Sequence, residues 1–479
     1  MWFGSGRVQT GQMCLKIRNF TKEILPFVTG ILFFCCLKIP AQPASQFVRG
    51  TVLDTVVIKG DSGDSYALFL PEDYRDSVPV PALFVFDPAA RGALGVRTFK
   101  EAAGSRGWIV VGSNVSRNGP YETNFEQASR LFSDVLSRLA IDPDRIYVAG
   151  FSGGARLAST LAVLSDEIRG VIACGASFSP NAGQMPLPGA TFAFAGIVGS
   201  RDMNYQELWK ADQWLDRVGL SHRTFFYDGV HSWPPQQELQ RAIHWMIMET
   251  QEGTTGSASL RQQMYSLDIN VADTLYLAGR FFESHREYQQ LIRQYAETYP
   301  GEMDSIRERV NKIERTREYK RQQTYFEKIR IAETRLRNLF SERFHSELEK
   351  RPPSADQKWW EDQMRSLKKK YGDKMVGGTD MLWRIDNQLY AMPIEASESF
   401  RRKGEFENSL YCNELLTVLF AENGQLWIRR AEDLARLHRP DQMIAMLNQA
   451  REAGYSDVSA IRNNPLFAPY LSRADFPFR

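Results

Sequence analysis

The segment Gly150-Phe151-Ser152-Gly153-Gly154 constrains this chain more than any other. It follows the apolar run Arg145–Ala149 and precedes the helix-forming stretch Ala155–Leu164, so it reads as a sharp strand-to-helix turn with serine at its apex. Glycines are needed on both sides because a buried strand must reverse into a helix without side-chain collision. Such a turn presents Ser152 Oγ at the carboxyl edge of a parallel sheet and leaves the Gly153 N–H, at the helix start, able to bind a developing oxyanion.

A serine nucleophile needs a base and an acid, and in this context they follow it in the order acid, histidine. The chain has six histidines, of which His222, His231 and His244 fall near Ser152 in sequence. His231 sits in the loop after the aromatic strand Phe225-Phe226-Tyr227, at a carboxyl end. His222 precedes that strand and His244 lies within an amphipathic helix, so both read as surface or packing residues. Asp202 lies in Gly199-Ser200-Arg201-Asp202, between the strand-like run Thr191–Val198 and a helix from about Gln206. An aspartate there also serves as an N-cap or turn residue. Asp228, three residues before His231, competes for the acid role.

These blocks, with the ending Gly229-Val230-His231-Ser232-Trp233-Pro234, resemble the α/β-hydrolase superfamily, in particular its esterases of the dienelactone-hydrolase and polyhydroxybutyrate-depolymerase or feruloyl-esterase type. The likeness covers about residues 46–250. It implies an α/β fold with a doubly wound, mostly parallel eight-stranded sheet, and acyl transfer through Ser152, His231 and Asp202. One block departs from the pattern. After the third strand, Ala82–Phe86, the family carries His-Gly, whose backbone supplies a second oxyanion donor, but here stands Asp87-Pro88-Ala89-Ala90-Arg91. Proline has no N–H, so Ala89 becomes the candidate partner of Gly153, with Ala90 next. Arg91 and Trp233 are candidate substrate-binding residues, with surface arginine and packing tryptophan as the alternatives.

Gly60-Asp61-Ser62-Gly63-Asp64-Ser65 and Asp228-x-x-His231 mimic the blocks of SGNH-type esterases. Ser65 runs into Tyr66–Pro71, which is strand-like, so Gly60–Ser65 reads as a hairpin turn. Strands are expected at Ala82–Phe86, Trp108–Gly112, Arg145–Ala149, Gly170–Cys174, Thr191–Val198 and Arg223–Tyr227. About sixteen residues separate Cys174 from Thr191, too few for a large lid, which points to water-soluble esters.

Lys and Arg number 59 against 57 Asp and Glu, interleaved, for a net charge of +2; nothing suggests a nucleic-acid partner. Residues 1–44 read as a secretory signal, with Lys16, Arg18 and Lys22 before the apolar run Ile24–Leu37 and an Ala-rich exit, and with Met13 as an alternative start. The run is short for a stable membrane span, so export to periplasm or medium is expected. Cleavage leaves Cys174 and Cys412 in the mature chain.

Residues 251–259 are a candidate linker, and residues 260–479 read as an all-α domain. On that boundary a chain ending near Gly253 should fold by itself. Met303–Lys350 suggests one or two long helices. Phe400–Ser409 superimposes on Leu434–Met443 at a 34-residue spacing, the tetratricopeptide period, and Leu275–Pro300 is a further degenerate unit. Such repeats usually bind peptide or protein. No zinc-ligand spacing and no phosphate or dinucleotide loop is present in the sequence, so no metal and no cofactor is expected. Two alternatives stand beside an esterase: a degenerate hydrolase acting as a repeat-type binding scaffold, and a serine peptidase of the same fold.

Overall fold

The computed structural model describes residues 47–60, 63–179, 181, 183–250, 257–372 and 375–478. The expected signal segment 1–44, Ser62 and linker positions 251–256 lie outside them. Two compact units divide at Val310/Asn311.

The first unit is built on an eight-stranded sheet: β1 (Val52–Val57), β2 (Ser65–Phe69), β3 (Val80–Phe86), β4 (Ile109–Ser113), β5 (Ile141–Phe151), β6 (Ile168–Cys174), β7 (Ala193–Gly199) and β8 (His222–Tyr227). Their order across the sheet is β1-β2-β4-β3-β5-β6-β7-β8. β2 is antiparallel to β1 and β4, while β3 to β8 are mutually parallel. Ser65 therefore opens the second strand of an early hairpin, where the sequence places the last residue of the turn. Helices α1 (Gly92–Gly104), α2 (Tyr121–Arg138), α3 (Gly153–Leu164) and α4 (Tyr205–Val218) connect strands, and α5 (Gln236–Thr250) follows β8. This strand order with one reversed strand is the α/β-hydrolase fold. The central strands are continuous apolar runs because helices bury both sheet faces; Leu83, Phe84, Val148, Val171 and Ile172 are fully inaccessible.

The unit does not end at residue 250. Helices α6 (Ser257–Leu277) and α7 (Phe281–Tyr295) form a hairpin on it, followed by α8 (Pro300–Arg315), within which the division falls. A buried ion cluster ties this hairpin to the sheet. Arg223 on β8 donates to Asp268 on α6 at 2.6 Å, and Arg241 on α5 reaches Asp268 at 3.0 Å, Glu287 on α7 at 3.0 Å and Glu238 at 2.8 Å. Tyr295 Oη donates to the same Asp268 carboxylate. Burial alone would raise the Asp268 carboxyl, but the two guanidiniums hold it below its usual range. A chain cut near Gly253 would lose Asp268, Glu287 and Tyr295 and strand two buried arginines, which revises the expectation of independent folding.

The second unit is all-helical: α9 (Arg317–Leu348), α10 (Gln357–Tyr371), α11 (Gly378–Arg402), α12 (Phe406–Leu419), α13 (Gly424–Arg436), α14 (Pro440–Glu452) and the short α15 (Val458–Arg462). The α11–α12 and α13–α14 hairpins share one turn. Gly404 and His438, 34 residues apart, both have positive φ, and Glu405 N–H to Phe400 O is matched by Arg439 N–H to Leu434 O. The α6–α7 turn repeats the pattern at Gly279, with Arg280 N–H donating to Leu275 O. In the second unit Asp433, fully buried, accepts from Arg401, Ser409 and Asn413 and locks α11, α12 and α13 together.

Candidate functional site

β5 delivers the chain to Ser152, whose φ of 51° and ψ of −118° place it in a strained left-handed region at the apex of the turn. The flanking glycines are obligatory. A Cβ on Gly154 would lie 2.1 Å from Phe86 O, and one on Gly150 would lie 2.2 Å from Gly154 O. The Ser152 N–H is anchored to Cys174 O at 2.8 Å, which fixes the apex against β6.

His231 arrives from the loop after β8 and Asp202 from the loop after β7. His231 Nε2 lies 3.0 Å from Ser152 Oγ, and His231 Nδ1 lies 2.9 Å from both Asp202 carboxylate oxygens. An acceptor at Nδ1 selects the Nδ1–H tautomer, so Nε2 is the lone-pair side and can accept the serine proton. Asp202 is buried and also accepts the Asn204 N–H at 2.7 Å. The turn role and the histidine contact are thus held by one carboxylate. Gly175, with φ of 64°, makes room for both partners: a Cβ there would stand 2.9 Å from Asp202 Oδ2 and 3.3 Å from His231 Cε1. Phe151 packs on the imidazole with ring centroids 4.6 Å apart. Asp228 points elsewhere, two-thirds exposed and paired to Arg201 at 2.8 Å.

The block that replaces His-Gly is organised by Asp87, a residue the sequence reading did not single out. Its carboxylate is fully buried and takes the Arg91 fork at 2.8 and 2.9 Å and the Trp233 indole N–H at 3.1 Å. Ala89, expected as an oxyanion donor, gives its N–H to Asp87 Oδ1 at 2.9 Å, and the Ala90 N–H goes to Asp87 O. Neither amide faces open space as an unbound donor. Arg91 and Trp233 meet on this carboxylate, and Trp233 also packs against Phe151 and Phe99.

Gly153 opens α3, where the first amides have no intrahelical acceptor. Above it lies Asn118, exposed on the β4–α2 connection, whose Oδ1 occupies the space a Cβ on Gly153 would need, at 1.8 Å. Its backbone N–H is tied to Pro88 O at 2.8 Å. The carboxamide therefore borders the Ser152 apex, and a half-turn about its last bond exchanges its oxygen and its N–H2. Sequence reasoning missed Asn118 because nothing local marks it; the Ala89–Arg117 bridge brings it in.

Of the other nearby histidines, His222 is buried at the start of β8, at the sheet edge opposite His231, and His244 on α5 lies 2.6 Å from Arg106. Burial, reinforced by Arg106, pushes the His244 imidazole down to about 4. Cys174 and Cys412 are buried free thiols, and burial pushes Cys412 up to about 12. Among the described residues no helix is long and apolar enough to cross a membrane.

No family model and no curated relative matches this chain. Solved structures similar to it include an S-formylglutathione hydrolase from Staphylococcus aureus, 15% identical over 42% of this chain and 98% of that one, with a TM-score of 0.35. A fluorophosphonate-binding serine hydrolase from the same organism is 15% identical over 42% and 99%, with a TM-score of 0.33. A ferulic acid esterase is 20% identical over 39% and 93%, with a TM-score of 0.32.

Proposed function

We propose that the first unit is a serine hydrolase that cleaves carboxylic esters through an acyl-enzyme. The observation that carries this reading is the unbroken chain from Asp202 through His231 to Ser152, at 2.9 and 3.0 Å. Ser152 Oγ attacks the ester carbonyl while His231 Nε2 takes its proton; Asp202 holds the ring and stabilises the imidazolium. The tetrahedral oxyanion is bound by the Gly153 N–H and, in place of Ala89, by the Asn118 carboxamide turned N–H inward. His231 then returns the proton to the leaving alcohol, and water repeats the sequence to free the acid. Asp87 fixes Arg91 and Trp233, and Trp233 packs on Phe151 beside the nucleophile. No cofactor has a part in these steps.

The test is turnover of p-nitrophenyl acetate by the full chain and by Ser152→Ala. Loss of a triad member commonly lowers the rate by several orders of magnitude, roughly 10⁴-fold or more. Undiminished turnover by the variant rejects the reading.

The second unit favours an added role. Two helical hairpins repeating one turn at 34 residues suit a tetratricopeptide-like surface for an extended peptide, and export of the mature chain would place that partner outside the cytoplasm. Saturable binding of a peptide from a random-sequence library to Ser152→Ala tests it; absence of any binder rejects it.

A further inference from the structure

We propose that Asp212, Asp216 and His222 form a binding site for a first-row divalent cation, Zn²⁺ in first place, at the sheet edge opposite the Ser152 site. Asp212 and Asp216 stand one turn apart near the C-terminal end of α4, and His222 begins β8. One ligand atom from each lies within 4.8 Å of the others.

The imidazole carries the argument. Its side chain is only 4% exposed, its Nδ1 is bonded to Leu220 O at 2.8 Å, and its buried Nε2 has no hydrogen-bond partner. A carbonyl at Nδ1 requires a proton there, leaving the Nε2 lone pair directed at two carboxylates. Lone pair facing anion is unfavourable unless a cation lies between them. A carbonyl fixing the far nitrogen is also the usual support of a metal-bound histidine.

Distances discriminate between a proton and a metal. His222 Nε2 is 3.5 Å from Asp212 Oδ1 and 3.8 Å from Asp216 Oδ1. A protonated ring would draw a carboxylate in to about 2.8 Å. Ligands bonded at about 2.0–2.1 Å to a tetrahedral Zn²⁺ stand about 3.3–3.4 Å apart. Both spacings are long for a hydrogen bond; that to Asp212 is close to the separation of atoms sharing an ion, and the half-exposed Asp216 carboxylate has about 0.4 Å left to close. One imidazole and two carboxylates form a donor set suited to such ions.

The surroundings agree. The Thr224 hydroxyl donates to Asp212 Oδ1 at 2.7 Å and orients it, and the negative end of the α4 dipole favours a cation. Asp216 is half exposed, leaving a path for the ion and for a water as fourth ligand. Arg293 reaches Asp216 Oδ1 at 3.1 Å from outside, itself 54% exposed, and competes with the ion for that oxygen. The residues span eleven positions as Asp-x3-Asp-x5-His, which is no recognised ligand spacing, and only the packing of α4 beside β8 assembles them.

The experiment uses the full, tag-free chain, stripped with chelator, dialysed and titrated with Zn²⁺ against a chromophoric competitor, with Co²⁺ absorption reporting geometry. One equivalent of Zn²⁺ is expected, with a tetrahedral Co²⁺ spectrum. Asp216→Asn and His222→Gln should each weaken binding at least tenfold with circular dichroism unchanged, Arg293→Ala should tighten it, and His231→Ala should leave it intact. Asp216→Asn decides alone if His222→Gln fails to fold. Absence of uptake, uptake indifferent to Asp216→Asn, or uptake abolished by His231→Ala overturns the proposal.

Discussion

Replacing Asp268 by asparagine removes one charge from the ion cluster at nearly constant volume, so no cavity term enters. The Asp268 side chain is 1% exposed, and the guanidiniums of Arg223 and Arg241 are 2% and 0% exposed, so water cannot take over the lost contact. Breaking one member of a buried pair costs about 3–5 kcal/mol, because the partner charge stays desolvated. At about 2 °C per kcal/mol, a value suited to a large unit, the midpoint of thermal unfolding should fall by about 6–10 °C. Melting of the full chain followed by circular dichroism measures this, with urea unfolding as a second axis. The pH dependence carries its own sign. Asp268 is held below its unfolded value of about 3.9, so its contribution is complete above that pH and is lost as pH falls through the lower folded value. The gap between wild type and Asp268→Asn should therefore be widest near neutrality and narrow in acid. A loss under about 1 kcal/mol, the range of an exposed pair, would refute the reasoning and show the cluster to be solvated.

Asp202→Asn should lower kcat on a small ester by about 10³–10⁴-fold, whereas Asp228→Asn, whose carboxylate pairs with Arg201, should change it less than about twofold; steady-state kinetics check both. Asn118→Ala should lower kcat about tenfold or more with little change in KM, as expected for a group that binds only the developing oxyanion. His244 is depressed to about 4 from an unfolded value near 6.5, so its stabilising contribution is complete above pH 6.5 and is lost as pH falls toward 4. Denaturation midpoints at stepped pH should show that loss in wild type and a flatter profile in His244→Gln.

Much of the sheet and of the geometry around Ser152 was legible in the sequence because each part has a local signal. Apolar runs marked the parallel strands within a few residues, though β5 begins at Ile141 rather than Arg145, where pairing with Val80 on β3 extends it. The elbow glycines, the loops after β7 and β8 and the order Ser, Asp, His are likewise read from short windows. What escaped depends on distant contacts. Asp87 looks like a turn residue until Arg91 and Trp233 close on it. Asp268 and Glu287 look like the solvated face of helices, yet they are buried because two arginines from β8 and α5 need them. The composition break at residues 251–259 places the expected boundary near residue 250, whereas the first compact unit runs to Val310. Met303–Lys350, by contrast, resolved into α8 and α9 much as charge and apolar spacing indicated.

The central claim is that Ser152 is a nucleophile activated by His231 and Asp202, and reaction with a fluorophosphonate followed by peptide mass spectrometry tests it most directly. One adduct per chain is predicted, on the peptide containing Ser152, absent from Ser152→Ala and slowed by orders of magnitude in His231→Ala. Labelling that persists in Ser152→Ala on Ser65 or another serine, or a wild-type chain that takes no label at all, would contradict it.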